Sequence, residues 1–135
     1  LVARRAMVFE RLARPKAYVT LAAGQEPPGE TALAIMRDSC ATLNVHGDQD
    51  GFTMRTFESC AVGGVQLIDR GDVAEFYEPG REVLVFKGAD ELVELAQRVV
   101  ARPREFDDLR ERARERTLTE HTFVHRARRL EQLWV

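Results

Sequence analysis

Residues 41–68 read ATLNVHGDQDGFTMRTFESCAVGGVQLI, and this stretch decides the fold. It opens on a short apolar run, residues 41–45 (ATLNV), of the kind that forms a buried strand. Residues 46–52 (HGDQDGF) are polar and punctuated by glycine, the composition of a loop. The spacing of Met54, Phe57 and Ala61 then predicts a helix that turns these three inward, and Gly63 and Gly64 stop it. Residues 65–68 (VQLI) supply the next strand. Strand, loop, helix and strand in that order make a βαβ unit, whose two strands lie parallel with a right-handed crossover.

Working outward, the same rhythm continues on both sides. Upstream, residues 31–39 have helical spacing through Leu33, Ile35 and Met36. Residues 17–22 (AYVTLA) suit a strand buried on both faces, and residues 2–12 a helix with Val2, Ala6, Phe9 and Ala13 on one face, ended by Pro15. Downstream, residues 73–77 form a short helix, and the turn Glu78-Pro79-Gly80 announces a strand over residues 82–86. Asp90 is placed to cap the next helix, with Leu92, Leu95, Ala96 and Val99 on its inner face and Pro103 at its end. One helix runs from Pro103 to about Leu118. A last one follows Thr122, with Phe123, Ala127, Leu130 and Trp134 expected to face inward. The expectation is an α/β fold, a doubly wound parallel sheet with a helical C-terminal tail packed outside it.

Composition narrows the function classes. The 135 residues suit one domain, and 44% hydrophobic with 31% charged residues is the balance of a water-soluble globular chain. No run approaches the roughly 20 apolar residues of a membrane span, and no secretory leader opens the chain, so a cytoplasmic location is expected. The net charge of −2 argues against nucleic acid as partner. The arginines of the last third are interleaved with acids, and Asp108 with Arg112 and Glu111 with Arg114 stand at self-pairing helical spacings. Cys40 and Cys60 read as two small core residues, and no Cys/His spacing suits a metal. The first residue is Leu1, already inside a helical pattern, so the chain is expected to be a fragment.

In an open parallel sheet, ligands sit outside the carboxyl ends of the strands, which singles out the loops after Ala22, Val45 and Ile68. The second is the most polar, with His46, Asp48, Gln49, Asp50, Gly51 and Thr53 ahead of a helix start and Arg55 and Glu58 in its first turns. A helix start preceded by glycine offers amide donors to a phosphate or diphosphate, and Arg55 adds a guanidinium fork. The same composition also suits an ordinary surface turn. Glu58, among Phe57, Cys60 and Ala61, is placed either to accept two ribose hydroxyls or to rest solvated or paired with Arg55 three residues earlier.

The segment LNVHGDQDGFTMRTFESCAVGGVQLID, the later FYEPGREVLVFKGADELVELAQRVV and the closing EHTFVHRARRL together resemble the C-terminal domain of GT-B glycosyltransferases, most closely the CgeB-like or spore-maturation type. The likeness is strong from Thr42 to the end and looser before it. It implies a Rossmann-like three-layer α/β/α domain that binds a nucleoside-diphosphate sugar and transfers the sugar to an acceptor, as the half of a two-domain enzyme whose N-terminal acceptor domain is missing. Many retaining GT-B enzymes carry two acids separated by seven residues, an arrangement that DGFTMRTFE reproduces with Asp50 and Glu58.

By that resemblance Glu58 contacts the ribose, Asp50 faces the donor sugar as the catalytic residue, and the amides of Gly51, Phe52 and Thr53 approach the diphosphate, with His46 and Arg55 in the same donor site. Asp50 stands where glutamate is commoner, and Arg55 where proline is usual. No metal or other cofactor is implied, since amides and Arg55 would carry the leaving-group charge. His121, Thr122 and Arg126 of the closing motif read as structural, through a cap, a buried ring and an ion pair. Two other classes share the fold: a non-catalytic interaction module and a nucleotide-sugar epimerase.

Overall fold

The computed structural model describes residues 29–134. The helix and strand expected over residues 2–12 and 17–22 lie outside them. Helix α1 (Gly29–Asp38) leads to β1 (Thr42–Asn44), α2 (Arg55–Ala61) and β2 (Gln66–Ile68). A 3-10 turn (Gly71–Glu75) precedes β3 (Leu84–Val85), and α3 (Ala89–Ala101) follows. A second 3-10 turn (Pro103–Phe106) opens into α4 (Asp107–Glu120), and α5 (Phe123–Leu133) closes the described chain.

The sheet has the order β1-β2-β3 and is parallel throughout, with Leu43 beside Leu67 and Leu67 beside Leu84. All three residues of the central strand β2 are buried, as a strand covered on both faces requires. Because side chains alternate along a strand, Leu67 and Leu84 enter one core with Leu92 and Val99 of α3, Phe106 of the second 3-10 turn and Leu109 of α4. Ile68 and Val83 enter the other, with Cys60 of α2, Val73, Tyr77 and Ala113. Helices on both faces of a parallel sheet make the Rossmann-like α/β/α arrangement that the alternation of elements implies.

The end of α2 shows how the chain enforces this. Gly63 takes φ +80°, its N–H donates to the Cys60 carbonyl at 3.0 Å, and the Gly64 N–H donates to the Ser59 carbonyl at 2.8 Å. This paired closure needs a left-handed residue, which glycine adopts without strain. Gly64 is required for closeness: a Cβ there would stand 3.0 Å from the Ser59 carbonyl oxygen and 3.1 Å from that of Met36. Arg110 of α4 ties the same region together, donating to the carbonyls of Gly63 at 2.9 Å and Cys40 at 2.9 Å.

Several local expectations are corrected. Met54 is 58% exposed, because α2 begins one residue later and leaves it outside the inward face. The cap position of α3 is Gly88, so Asp90 lies inside the first turn, and Glu91 instead accepts the Lys87 N–H at 2.8 Å. Among the described residues, Asp108 with Arg112 and Glu111 with Arg114 form no ion pairs; the pairs on α4 join Arg116 to Glu82 at 3.0 Å and to Glu120 at 3.3 Å. The largest departure is α5, which has no buried residue: Phe123 is 77% and Trp134 91% exposed, and Ala127 and Leu130 are exposed too.

The two cysteines also divide. Cys60 is wholly buried and Cys40 exposed. Burial, above all, pushes the Cys60 thiol up to about 12, so at pH 8 it is protonated and inert while Cys40 reacts. A disulfide-exchange reagent at pH 8 is expected to label one thiol per folded chain and the second only after denaturant is added. Two equally fast thiols in the native protein would contradict the packing of α2 on the sheet.

Candidate functional site

The loop between β1 and α2 lies at the carboxyl ends of β1 and β2, where a parallel sheet places its ligands. Its anchor is a residue that the sequence pattern did not single out. Asp69, directly after β2, accepts the His46 N–H at 2.8 and 3.0 Å and the Gly47 N–H at 2.8 Å, and its Oδ1 lies 3.3 Å from His46 Nδ1. On the far side of the ring, His46 Nε2 accepts the Thr53 N–H at 3.3 Å. That acceptance assigns the remaining proton to Nδ1, facing the carboxylate. His46 is wholly buried, so its ring spans the loop from one end to the other and reaches no solvent.

Gly47 and Gly51 take φ of +60° and +72°, the left-handed conformations that let the loop fold back between these anchors. Arg70, the next residue after Asp69, holds the middle of the loop. Its guanidinium donates to the Gln49 carbonyl at 3.0 Å and to the Gly51 carbonyl, and pairs with Asp72 through Nε at 2.9 Å. Hydrogen bonding to Asp72 raises the pKa of the Arg70 guanidinium, and the charges of Asp69 and Asp50 add to the effect. The guanidinium also lies 4.3 Å from the centre of the Phe52 ring.

Beneath the loop lies a buried polar network. Asn44 of β1 donates to Thr56 Oγ1 and to Gln66 Oε1, each at 3.0 Å, and accepts the Thr53 hydroxyl at 3.3 Å. Gln66 Nε2 donates to the Thr56 carbonyl at 2.8 Å and to Cys60 Sγ at 3.3 Å. The network joins β1, β2 and α2 under the loop and leaves no buried side-chain polar atom of the described residues without a partner.

The sequence-derived site residues therefore separate by role. Asp50, Gly51 and Arg55 are exposed, Phe52, Thr53 and Glu58 half-buried, and His46 enclosed. The Thr53 amide is committed to His46, whereas the amides of Gly51 and Phe52 make no hydrogen bond among the described residues. The Glu58 carboxylate likewise has no partner among them, so neither Arg55 nor any other described cation pairs with it. Phe52 begins a ladder of rings: its centre is 5.5 Å from that of His46 and 5.3 Å from that of Phe76, which in turn lies 5.3 Å from Phe57.

Asp69 and Arg70 escaped the sequence reading because an acid and a base after a strand are ordinary turn residues. Their one signal is position, since they end the strand beside the glycine loop. A separate surface depression, lined by Glu82, Arg112, Glu115, Arg116, Thr119 and Glu120, lies beside the amino end of β3. Its Arg116 is held by Glu82 and Glu120, and the depression is at the wrong end of the sheet for a ligand site. Among the described residues, no three His, Cys, Asp or Glu side chains gather as metal ligands would, and no helix is long and apolar enough to cross a membrane.

A family model described as glycosyl transferase-like matches residues 4–132. No curated protein and no solved structure matches the chain.

Proposed function

The chain belongs to the glycosyl transferase-like family, and on that premise we propose that it is the donor-binding domain of a CgeB-like GT-B hexosyltransferase, taking a nucleoside-diphosphate sugar in the loop between β1 and α2. The observation that carries this reading is the Glu58 carboxylate, half-buried and without a partner among the described residues, beside a loop pinned at both ends. A carboxylate held partly out of water and unpaired is suited to accept two vicinal hydroxyls, as ribose presents them.

Each residue then has a part. Glu58 receives the ribose. The open amides of Gly51 and Phe52 face the diphosphate with Arg55 at the head of α2, and Asp50 at the exposed tip faces the donor sugar. His46 and Thr53 fix the loop from within. As the glycosidic bond to the diphosphate breaks, charge builds on the leaving phosphate, and donors already fixed in place stabilise it without reorganising. No metal is needed in this scheme. The acceptor comes from a second domain across a cleft, and the exposed apolar side chains of α5 supply a surface on which such a domain can pack. A cytoplasmic enzyme of bacterial type goes with this reading. Alone, the chain is expected to bind donor and transfer little.

The test is a thermal-shift and calorimetric screen against UDP, GDP, ADP, CDP and TDP and their common sugars, run on the protein and on Glu58→Ala. A nucleotide at about 100 times its dissociation constant stabilises a fold by roughly 2.7 kcal/mol. One base is expected to give such a shift, and the variant to lose most of it while keeping its own melting temperature, since Glu58 makes no side-chain bond among the described residues. No shift with any nucleotide, or an undiminished shift in the variant, would overturn the assignment and leave an interaction module as the better reading.

A further inference from the structure

Arg126 belongs to the closing motif, where an ion pair was expected to give it a structural role. No such pair forms: among the described residues its guanidinium makes no hydrogen bond or salt bridge. It lies instead over two aromatic faces, 4.9 Å from the centre of Phe57 and 5.6 Å from that of Phe76. These rings come from α2 and from the segment after the first 3-10 turn, while Arg126 comes from the first turn of α5. The start of α5 is itself fixed. The Thr122 and His125 side chains cap it reciprocally, and His121 Nε2 is 3.0 Å from the Phe76 carbonyl oxygen. Three elements thus position one cation whose donors are all unspent among the described residues.

Its neighbourhood is the loop already described. Phe57 directly precedes Glu58, and Phe76 meets Phe52, the ring between Gly51 and Thr53, at 5.3 Å. A guanidinium stacked on rings is held in orientation through its face, while its edge keeps a fork of N–H donors that fits two phosphate oxygens. The cation nearer the loop, Arg70, has spent its donors on Gln49, Gly51 and Asp72. We propose that Arg126 is a phosphate-binding residue of this site, clamping the diphosphate of the donor from the α5 side. This rests on the donor reading above.

The experiment separates the two. The intact protein, Arg126→Gln and Arg126→Lys are titrated calorimetrically with the five nucleoside diphosphates and with the matching nucleosides. Arg126→Gln is expected to weaken the cognate diphosphate about tenfold or more, as loss of a charge-assisted bond does, and to leave the nucleoside within about twofold. Arg126→Lys, with charge but no fork, should recover part of the loss. Equal loss for nucleoside and diphosphate would mean that Arg126 only supports the rings, and unchanged diphosphate affinity would place it outside the site; either overturns the inference while the donor reading stands. Failure of every diphosphate to bind the unaltered protein would remove both.

Discussion

Asp69→Ala is expected to lower the unfolding free energy by about 3 kcal/mol and to abolish most of the nucleotide-dependent stabilisation. The size follows from what one carboxylate holds: two consecutive backbone N–H groups and the protonated nitrogen of a buried imidazole. Hydrogen bonds to a charged group contribute about 1.5–3 kcal/mol each, and groups stranded without a partner add the cost of their lost hydration. Water entering the vacated site hydrates some of these groups again, which brings the total below the sum of the three bonds, to about 3 kcal/mol. Asp69→Asn retains one acceptor oxygen and should sit between the two. Urea unfolding followed by tryptophan-independent circular dichroism measures the loss. A drop below about 0.5 kcal/mol for Asp69→Ala would show that the loop keeps its shape without this anchor.

That anchor also marks how far the sequence could be read. Period and punctuation place the elements from α1 to α5, because buried parallel strands are apolar runs and Gly63 and Gly64 can only end a helix. Strand ends were overdrawn: residues 82–86 were expected as strand, but only Leu84–Val85 pair in the ladder. The loop after β1 was legible as the polar one at the ligand end of the sheet. What makes it rigid was not, since Asp69 and Arg70 act on partners 19 to 23 residues earlier and no local pattern encodes that register.

The helix α5 shows a second kind of limit. Its apolar residues form a stripe, yet periodicity gives the width of a face and not its direction. Phe123, Leu130 and Trp134 point away from the core that residues 29–134 build. Cys40 and Met54 failed for a related reason, standing just beyond the ends of α1 and just before α2, where an apolar residue leaves the packed surface. The ladder of Phe52, Phe76 and Phe57 is set by tertiary contact, so the sequence shows only its parts: Phe57 as an inward helix residue, Phe52 by its amide, and Phe76 within the short helix expected over residues 73–77.

Asn44 carries the other large effect. Asn44→Ala is expected to cost about 2–4 kcal/mol, more than its few atoms of packing would suggest, because it leaves Gln66 Oε1 and Thr56 Oγ1 buried without their donor. Replacing both members of the pair tests that account. In Asn44→Ala/Gln66→Leu the stranded amide oxygen is gone, so the double variant should be more stable than the sum of the single losses predicts by about 1 kcal/mol or more. Simple additivity would mean that the two amides do not act on one another and that Asn44 matters only as volume. The binding consequence separates from stability. Asn44 accepts the Thr53 hydroxyl, and the Thr53 amide in turn engages His46, so the floor of the site and the loop above it share one residue. If that linkage positions the Gly51 and Phe52 amides, Asn44→Ala should weaken the cognate diphosphate at a temperature where the variant is still fully folded, although Asn44 itself lies buried beneath the loop.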